Sequence, residues 1–253
     1  MQPGYQVFDG DPAVLKWAKA AHKLAVKVTS DPEMRRANLR HGDTWFVGVD
    51  ALPNDAAGAV DGVPLTGPWK RHINRPERWH PAQISVVYPG YPKQDKDESD
   101  ANHRFRVLRA AAHVDGLLPI GPARRRFLHE PHMFILGLPL NDSRAAPLVV
   151  WPESHVIMGA ALSKAIGTAA PETVDLTEIY QRARRQVFET IEPIPVHASP
   201  GQSILLHRHL LHGVAPWHAD DTAPPEGRMI AYFRPQGEMR NWLQESTSLW
   251  NER

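Results

Sequence analysis

The chain has 253 residues, a formal net charge of +1, no cysteine, and many prolines (24) and tryptophans (8). That length is ample for a buried core in one large domain or two small ones. The balanced charge gives no global field toward nucleic acid or a membrane surface. Without cysteine there is no disulfide framework and no thiolate metal site, so any metal must be held by His, Asp and Glu.

The opening stretch MQPGYQVFDGDPAV lacks a basic segment followed by an apolar one and does not read as a secretory signal. No apolar run is long enough to span a bilayer. A cytoplasmic protein with no nucleic-acid or membrane partner is the default expectation. The first element is a helix in DGDPAVLKWAKAAHKLAVKV. Asp11 can cap it, Pro12 fits its first turn, and Val14, Trp17, Ala18, Ala21, Leu24 and Val28 recur at helical spacing. Lys16, Lys19, Lys23 and Lys27 fall on its solvated side. Short apolar runs bounded by Pro, Gly or Asn then read as strands: QISVVYPG, HMFILGLPL, PLVVW, QSILLH and MIAYFRP. Residues 92–104, PKQDKDESDANHR, are charged and almost without apolar side chains. They read as an exposed loop, with a substrate lid as the functional version of that reading. A second helix pattern, DLTEIYQRARRQVFETI, carries Leu176, Ile179, Tyr180, Ala183, Val187 and Ile191 as its stripe, with Arg182, Arg184 and Arg185 solvated. No repeat or linker interrupts the chain. The expectation is one β-sandwich or barrel decorated with helices, with a helical part over about 1–80, a core over about 84–235 and a helical insertion near 160–191.

Polar side chains in apolar surroundings mark the candidate site. On a strand, residues i and i+2 share a face, so a His-x-Asp pair can converge on one divalent metal. Such pairs occur at His41-Gly42-Asp43, His113-Val114-Asp115 and His218-Ala219-Asp220. The first has a central Gly and reads as a turn, and the third lies in a Pro-rich polar loop. Only His113 and Asp115 have strand-like apolar flanks. A third ligand must come from elsewhere, and GQSILLHRHLLHGVAPW offers His207, His209 and His212. Arg228 opens the apolar strand MIAYF, and a buried cation there needs an anionic partner. Arg124, Arg125 and Arg126 could meet an anionic substrate, against the alternative of a solvated turn. Trp151 and Trp217 could line a pocket, against the alternative of core packing.

His113-x-Asp115, then a Gly201-to-His212 segment ending in His-Gly, then Arg228, together resemble the Fe(II)/2-oxoglutarate-dependent oxygenases. The turn in APLVVWPESH adds a likeness to their phytanoyl-CoA dioxygenase-like branch. The resemblance covers roughly residues 84–235. It implies a double-stranded β-helix (jelly-roll, cupin-like) core, mainly β with N-terminal and inserted helices. It implies Fe(II) held by His113, Asp115 and His212, which would also be the catalytic group. Arg228 would bind the distal carboxylate of 2-oxoglutarate, with Arg234 and the Arg124–Arg126 cluster as the alternative cations. O2 is the second co-substrate, a small molecule would be hydroxylated, and succinate and CO2 would be released. Glu153 stands where the family usually has Gly in its turn, and Val214 where Ser or Asn is common. Two other readings fit the same residues: a cupin-like metalloenzyme that does not use 2-oxoglutarate, and an inactive binding protein of the same fold.

Overall fold

The computed structural model describes residues 3–243; the ends of the expected 1–253 domain, residues 1–2 and 244–253, lie outside the described residues. Helix α1 spans Pro12–Ser30. The Asp11 carboxylate accepts from the backbone N–H groups of Ala13 (2.8 Å) and Val14 (3.2 Å), satisfying donors that a helix start leaves open. Its buried face is Val14, Trp17, Ala18, Ala21 and Ala25, and Leu24 and Val28 pack beside it. A short α2, Pro32–Asn38, follows. Beyond these, the described residues of the expected helical part hold only a short 3-10 helix, Pro68–His72. Strands β1 (Tyr5–Phe8), β2 (Leu39–Arg40) and β3 (Trp45–Gly48) lie in that region and join the main sheet. Residues 41 to 43 form the expected turn, all three with positive φ.

The main sheet is antiparallel, in the order β1, β10 (Ser203–His207), β7 (Phe134–Pro139), β12 (Arg228–Phe233), β4 (Gln83–Val87), β3, β2. A smaller sheet has the order β11 (His212–Val214), β8 (Leu148–Val150), β9 (Ile194–Val196). The backbone of His113 pairs with His212 and extends this sheet past β11. From Phe134 onward the chain passes from the main sheet (β7) to the small sheet (β8, β9), back (β10), across again (β11) and back (β12), the path of a double-stranded β-helix. Alternation along each strand separates two cores. Ile135, Leu148, Val150, Ile204, Leu206, Ile230 and Tyr232 fill the space between the sheets. Phe134, Leu136, Leu138, Met229, Ala231 and Phe233 face the other way, onto α1.

The inserted helices, α4 (Ser154–Ile166) and α5 (Thr177–Thr190), pack on the small sheet through Trp151, Met158, Leu162, Tyr180 and Val187. Glu153, before α4, sits at φ +64°, the backbone region that favours the Gly usual in that turn. Arg184 is not simply solvated as its sequence position suggests. Its guanidinium lies 4.6 Å from the Phe105 ring centroid and 5.2 Å from that of Tyr180, because α3 (Asp100–Arg109) brings Phe105 against α5. Residues 92–104 are likewise not a free loop. Asp95 accepts from the backbone N–H groups of His41 (2.9 Å) and Gly42 (2.6 Å), Glu98 pairs with Arg106 at 2.9 Å, and the segment's end is already α3.

Candidate metal centre

His113 and Asp115 do not sit on a regular strand. His113 makes a single bridge to His212, and Asp115 begins the turn into β5 (Leu117–Ile120). The bridge is held by two backbone bonds: His113 N–H donates to the His212 carbonyl (2.9 Å), and His212 N–H donates to that of His113 (3.1 Å). The two imidazoles therefore come to one point, with ring centroids 4.8 Å apart. Gly116 then turns the chain at φ +86°. A Cβ there would overlap the Glu130 carbonyl, so only Gly lets residues 129–130 cross so close behind Asp115. β5 pairs with β6 (Arg125–Leu128) as a hairpin beside the site.

The tautomers of both histidines follow from their partners. His113 Nδ1 lies 2.9 Å from the Ala111 carbonyl, and His212 Nδ1 lies 2.9 Å from the Leu210 carbonyl. A carbonyl only accepts, so each Nδ1 carries the proton and each Nε2 presents a lone pair. Those lone pairs face one carboxylate: His113 Nε2 is 3.1 Å from Asp115 Oδ1, and His212 Nε2 is 3.8 Å from Asp115 Oδ2. Ligand atoms of all three residues lie within 4.8 Å of one another, and this is the one such group among the described residues. Burial pushes the His212 imidazole down to about 4, which keeps it neutral. Burial works against ionisation of Asp115, but the Arg234 guanidinium together with the His113 and His212 rings outweighs it and holds the carboxyl well below the usual range. Two imidazole nitrogens and one carboxylate gathered at one point are a donor set that could hold a divalent cation.

The site opens into a cavity of about 1240 Å³. Trp45, Ser85, Ile135, Leu148, Val214 and Tyr232 line its inner part, between the sheets. Asn74, Arg75, Glu77 and Arg78 line its mouth, with Leu118 of the hairpin. Glu130 and His132 stand beside Asp115. His132 Nδ1 donates to the Arg234 carbonyl (3.0 Å), and its Nε2 is 3.3 Å from the Glu130 carboxylate.

Arg228 is 5% exposed and sits on β12, where the side-chain alternation places it on the same face as Ile230 and Tyr232. Its Nη1 is buried without a hydrogen-bond partner. Glu226 is instead paired with His22 (3.1 Å) and Glu130 with His132. Tyr91 packs on Val87, the β4 residue opposite Arg228.

Other sequence candidates lie elsewhere. His207 and His209 are buried in a second group with His155. His207 and His155 have centroids 4.8 Å apart, and His209 stacks edge-on to Trp242 at 4.3 Å. None of the three belongs to the metal-type cluster. Arg124, Arg126, Trp151, Trp217 and Arg228 are not among the residues that line the cavity. Arg124 is at the hairpin turn with φ +48°. Arg126 bonds to the Leu117 carbonyl (2.9 Å) and covers Tyr180. Trp151 is 1% exposed in the core under α4 and α5, and Trp217 packs on the Tyr91 cluster. Nor do residues 92–104 reach the cavity; residues 74–78, 80, 235–238, 241 and 242 line it on the mouth side instead. Gln83, Gly116, Glu130 and His132 carry no pattern in the sequence. The Pro-rich run INRPERWHP, which supplies the mouth, gives only a loop signal.

No protein-family model matches the chain, and no curated protein does. Among solved structures, the chain is similar to the non-haem alpha-ketoglutarate-dependent carbocyclase SnoK from nogalamycin biosynthesis. Identity is 14%, with 92% of this chain and 80% of that chain covered, at a TM-score of 0.52. A looser likeness is to EctD from S. alaskensis with 2-oxoglutarate and 5-hydroxyectoine, at 15% identity, 92% and 71% coverage and a TM-score of 0.41. The chain thus carries the fold of the non-haem iron, 2-oxoglutarate-dependent oxygenases, with a His–Asp–His cluster between its two sheets.

Proposed function

We propose that this chain is one oxygenase domain, an Fe(II)/2-oxoglutarate-dependent dioxygenase that hydroxylates a small molecule. The observation that carries the reading is the gathering of two Nε2 atoms on one carboxylate, each ring held at Nδ1 by a backbone carbonyl, which is the donor set a divalent cation takes. His113, Asp115 and His212 would hold the iron. Fe(II) bound there, with 2-oxoglutarate and O2, supplies the oxidising power for hydroxylation, with succinate and CO2 as the other products. The protein's own residues supply geometry. The Ala111 and Leu210 carbonyls fix both rings in the ligating tautomer. Arg228, a buried cation with an unpaired donor, offers a fork for the distal carboxylate of 2-oxoglutarate. Trp45, Ile135, Leu148, Val214 and Tyr232 keep the inner cavity apolar. The wider mouth receives the substrate.

The test is an anaerobic titration of 2-oxoglutarate into the Fe(II) protein, following the visible charge-transfer band. A charge-assisted contact contributes on the order of 1.5–3 kcal/mol. Arg228→Ala should therefore weaken binding about ten- to a hundredfold, with Fe(II) affinity retained. Equal binding by both proteins would move the carboxylate to another cation. Absence of binding by wild type, with iron in place, would favour a cupin-like metalloenzyme that does not use 2-oxoglutarate.

A further inference from the structure

Arg234 lies six residues beyond Arg228, immediately after the last residue of β12. Its Nε donates to Asp115 Oδ2 at 2.5 Å, and its Nη1 donates to the side-chain oxygen of Gln83. The guanidinium also rests over the Tyr232 ring, 5.4 Å from the centroid. Its backbone is fixed on both sides. The Arg234 N–H donates to His80 Nε2 (2.8 Å), and its carbonyl accepts from His132 Nδ1 (3.0 Å). His80 is held in turn, because Nε2 accepts and so Nδ1 carries the proton, placed between Asp50 Oδ1 (2.9 Å) and the Pro81 carbonyl (2.7 Å). Three residues with no other evident task thus converge on the placement of one guanidinium against one carboxylate oxygen.

We propose that Arg234 is a positioning residue that reserves Asp115 Oδ2 and leaves Oδ1 alone to ligate the metal. This rests on the metal reading above. The two oxygens are distinguished by their nearest partners: Oδ1 faces His113 Nε2 at 3.1 Å, while Oδ2 takes the arginine at 2.5 Å with His212 Nε2 farther off at 3.8 Å. The difference matters for the count of open positions. Two imidazoles and one carboxylate oxygen leave three sites of an octahedral ion on one face, enough for a chelating co-substrate and O2 together. A carboxylate bound through both oxygens would take one of them. Coulomb repulsion between a guanidinium and a metal dication makes the contact a poor choice for metal affinity alone. Its use is in the geometry it imposes.

The experiment compares wild type, Arg234→Ala and Arg234→Lys, each loaded with Mn(II), by water-proton relaxation and by 2-oxoglutarate titration. Thermal melts check that each variant is folded. Arg234→Ala is expected to bind Mn(II) at least as tightly as wild type, to lose about one exchangeable water, and to bind 2-oxoglutarate about tenfold more weakly. Arg234→Lys, which keeps a cationic donor, is expected to recover the wild-type water count. A purely structural arginine would instead lower Mn(II) affinity and stability together in Arg234→Ala. That outcome, or an unchanged water count, overturns the proposal. A wild-type protein that binds no Mn(II) through His113, Asp115 and His212 overturns the metal reading itself, and the role of Arg234 with it.

Discussion

His209 and His212 are three residues apart, both buried, and both within one histidine-rich run, yet their surroundings differ. His212 starts β11 and bridges to His113, whereas His209 lies in the turn before it, its ring edge-on to Trp242. His212→Ala should lower divalent-metal affinity by more than the roughly 10–100-fold typical of losing a supporting partner. His209→Ala should leave that affinity unchanged and cost stability, about 1–3 kcal/mol. Metal titration followed by calorimetry, with denaturant melts on the same proteins, reads both effects. Loss of affinity in His209→Ala with none in His212→Ala would reassign the third ligand. Gly116→Ala joins a positive φ to an overlap with the Glu130 carbonyl. The conformation alone costs about 1–2 kcal/mol, and the overlap adds to it. Because Asp115 is the preceding residue, metal affinity should fall as well. A variant with wild-type stability and metal binding would mean that residues 129–130 can move away freely.

At the scale of the element, α1 is the chief cover of the main sheet's outer face. Trp17 is fully buried, 5.8 Å from the Phe233 ring centroid, and its indole N–H donates to the Gly58 carbonyl at 2.8 Å. Trp17→Ala should cost about 3–5 kcal/mol. Asp11→Ala removes only the cap and should cost about 1 kcal/mol. Urea melts of the two variants check the ratio; equal losses would mean that α1 is held by its end and not by its face. This helix was legible in the chain because its cap, its proline and its apolar stripe are all local. The strand β11 was not, since three residues, His-Gly-Val, have no period to read. What makes it a strand is β8 alongside, paired at Val150, Val149 and Leu148. The same reason hid β3, whose Trp45 and Val47 face the cavity while Phe46 enters the core under α1. Residues 92–104 read as a free loop because Asp95 and Glu98 look like solvated charge in sequence. Their partners, His41, Gly42 and Arg106, are brought to them by the fold and by the turn of α3.

For the molecule as a whole, buried neutral histidines make folding sensitive to acid. Burial, reinforced by the nearby His155 and Arg208, pushes His207 from 6.5 down to about 3, and His209 is also lowered, by burial first. A histidine depressed in the folded state is protonated first in the unfolded chain. Stability is therefore highest above about pH 6.5 and falls as pH drops toward about 3. One such group contributes a slope of up to about 1.4 kcal/mol per pH unit. Denaturant melts of the metal-free protein between pH 7.5 and 4.5 should show the decline, and His207→Gln should flatten it by about one proton's worth. A stability that stays level across that range would mean that these rings accept protons without leaving the core.

The sequence by itself determined what is written in short range or in residue type. It dictated the capped helix α1, the apolar strands β4, β7, β8, β10 and β12, and the exclusion of thiolate ligands. It also marked His113, Asp115 and His212 by their order along the chain, although it read the first two as strand residues when a single bridge and a glycine turn place them. Only the tertiary structure decided which ring nitrogens carry protons, because the deciding carbonyls belong to a turn whose shape sheet pairing sets. Only it could take Trp151 into the core and set Arg234 on Asp115, a contact between residues 119 positions apart. A hydrogen bond across that separation leaves no periodic trace in the chain, since its geometry exists once two sheets have closed around it.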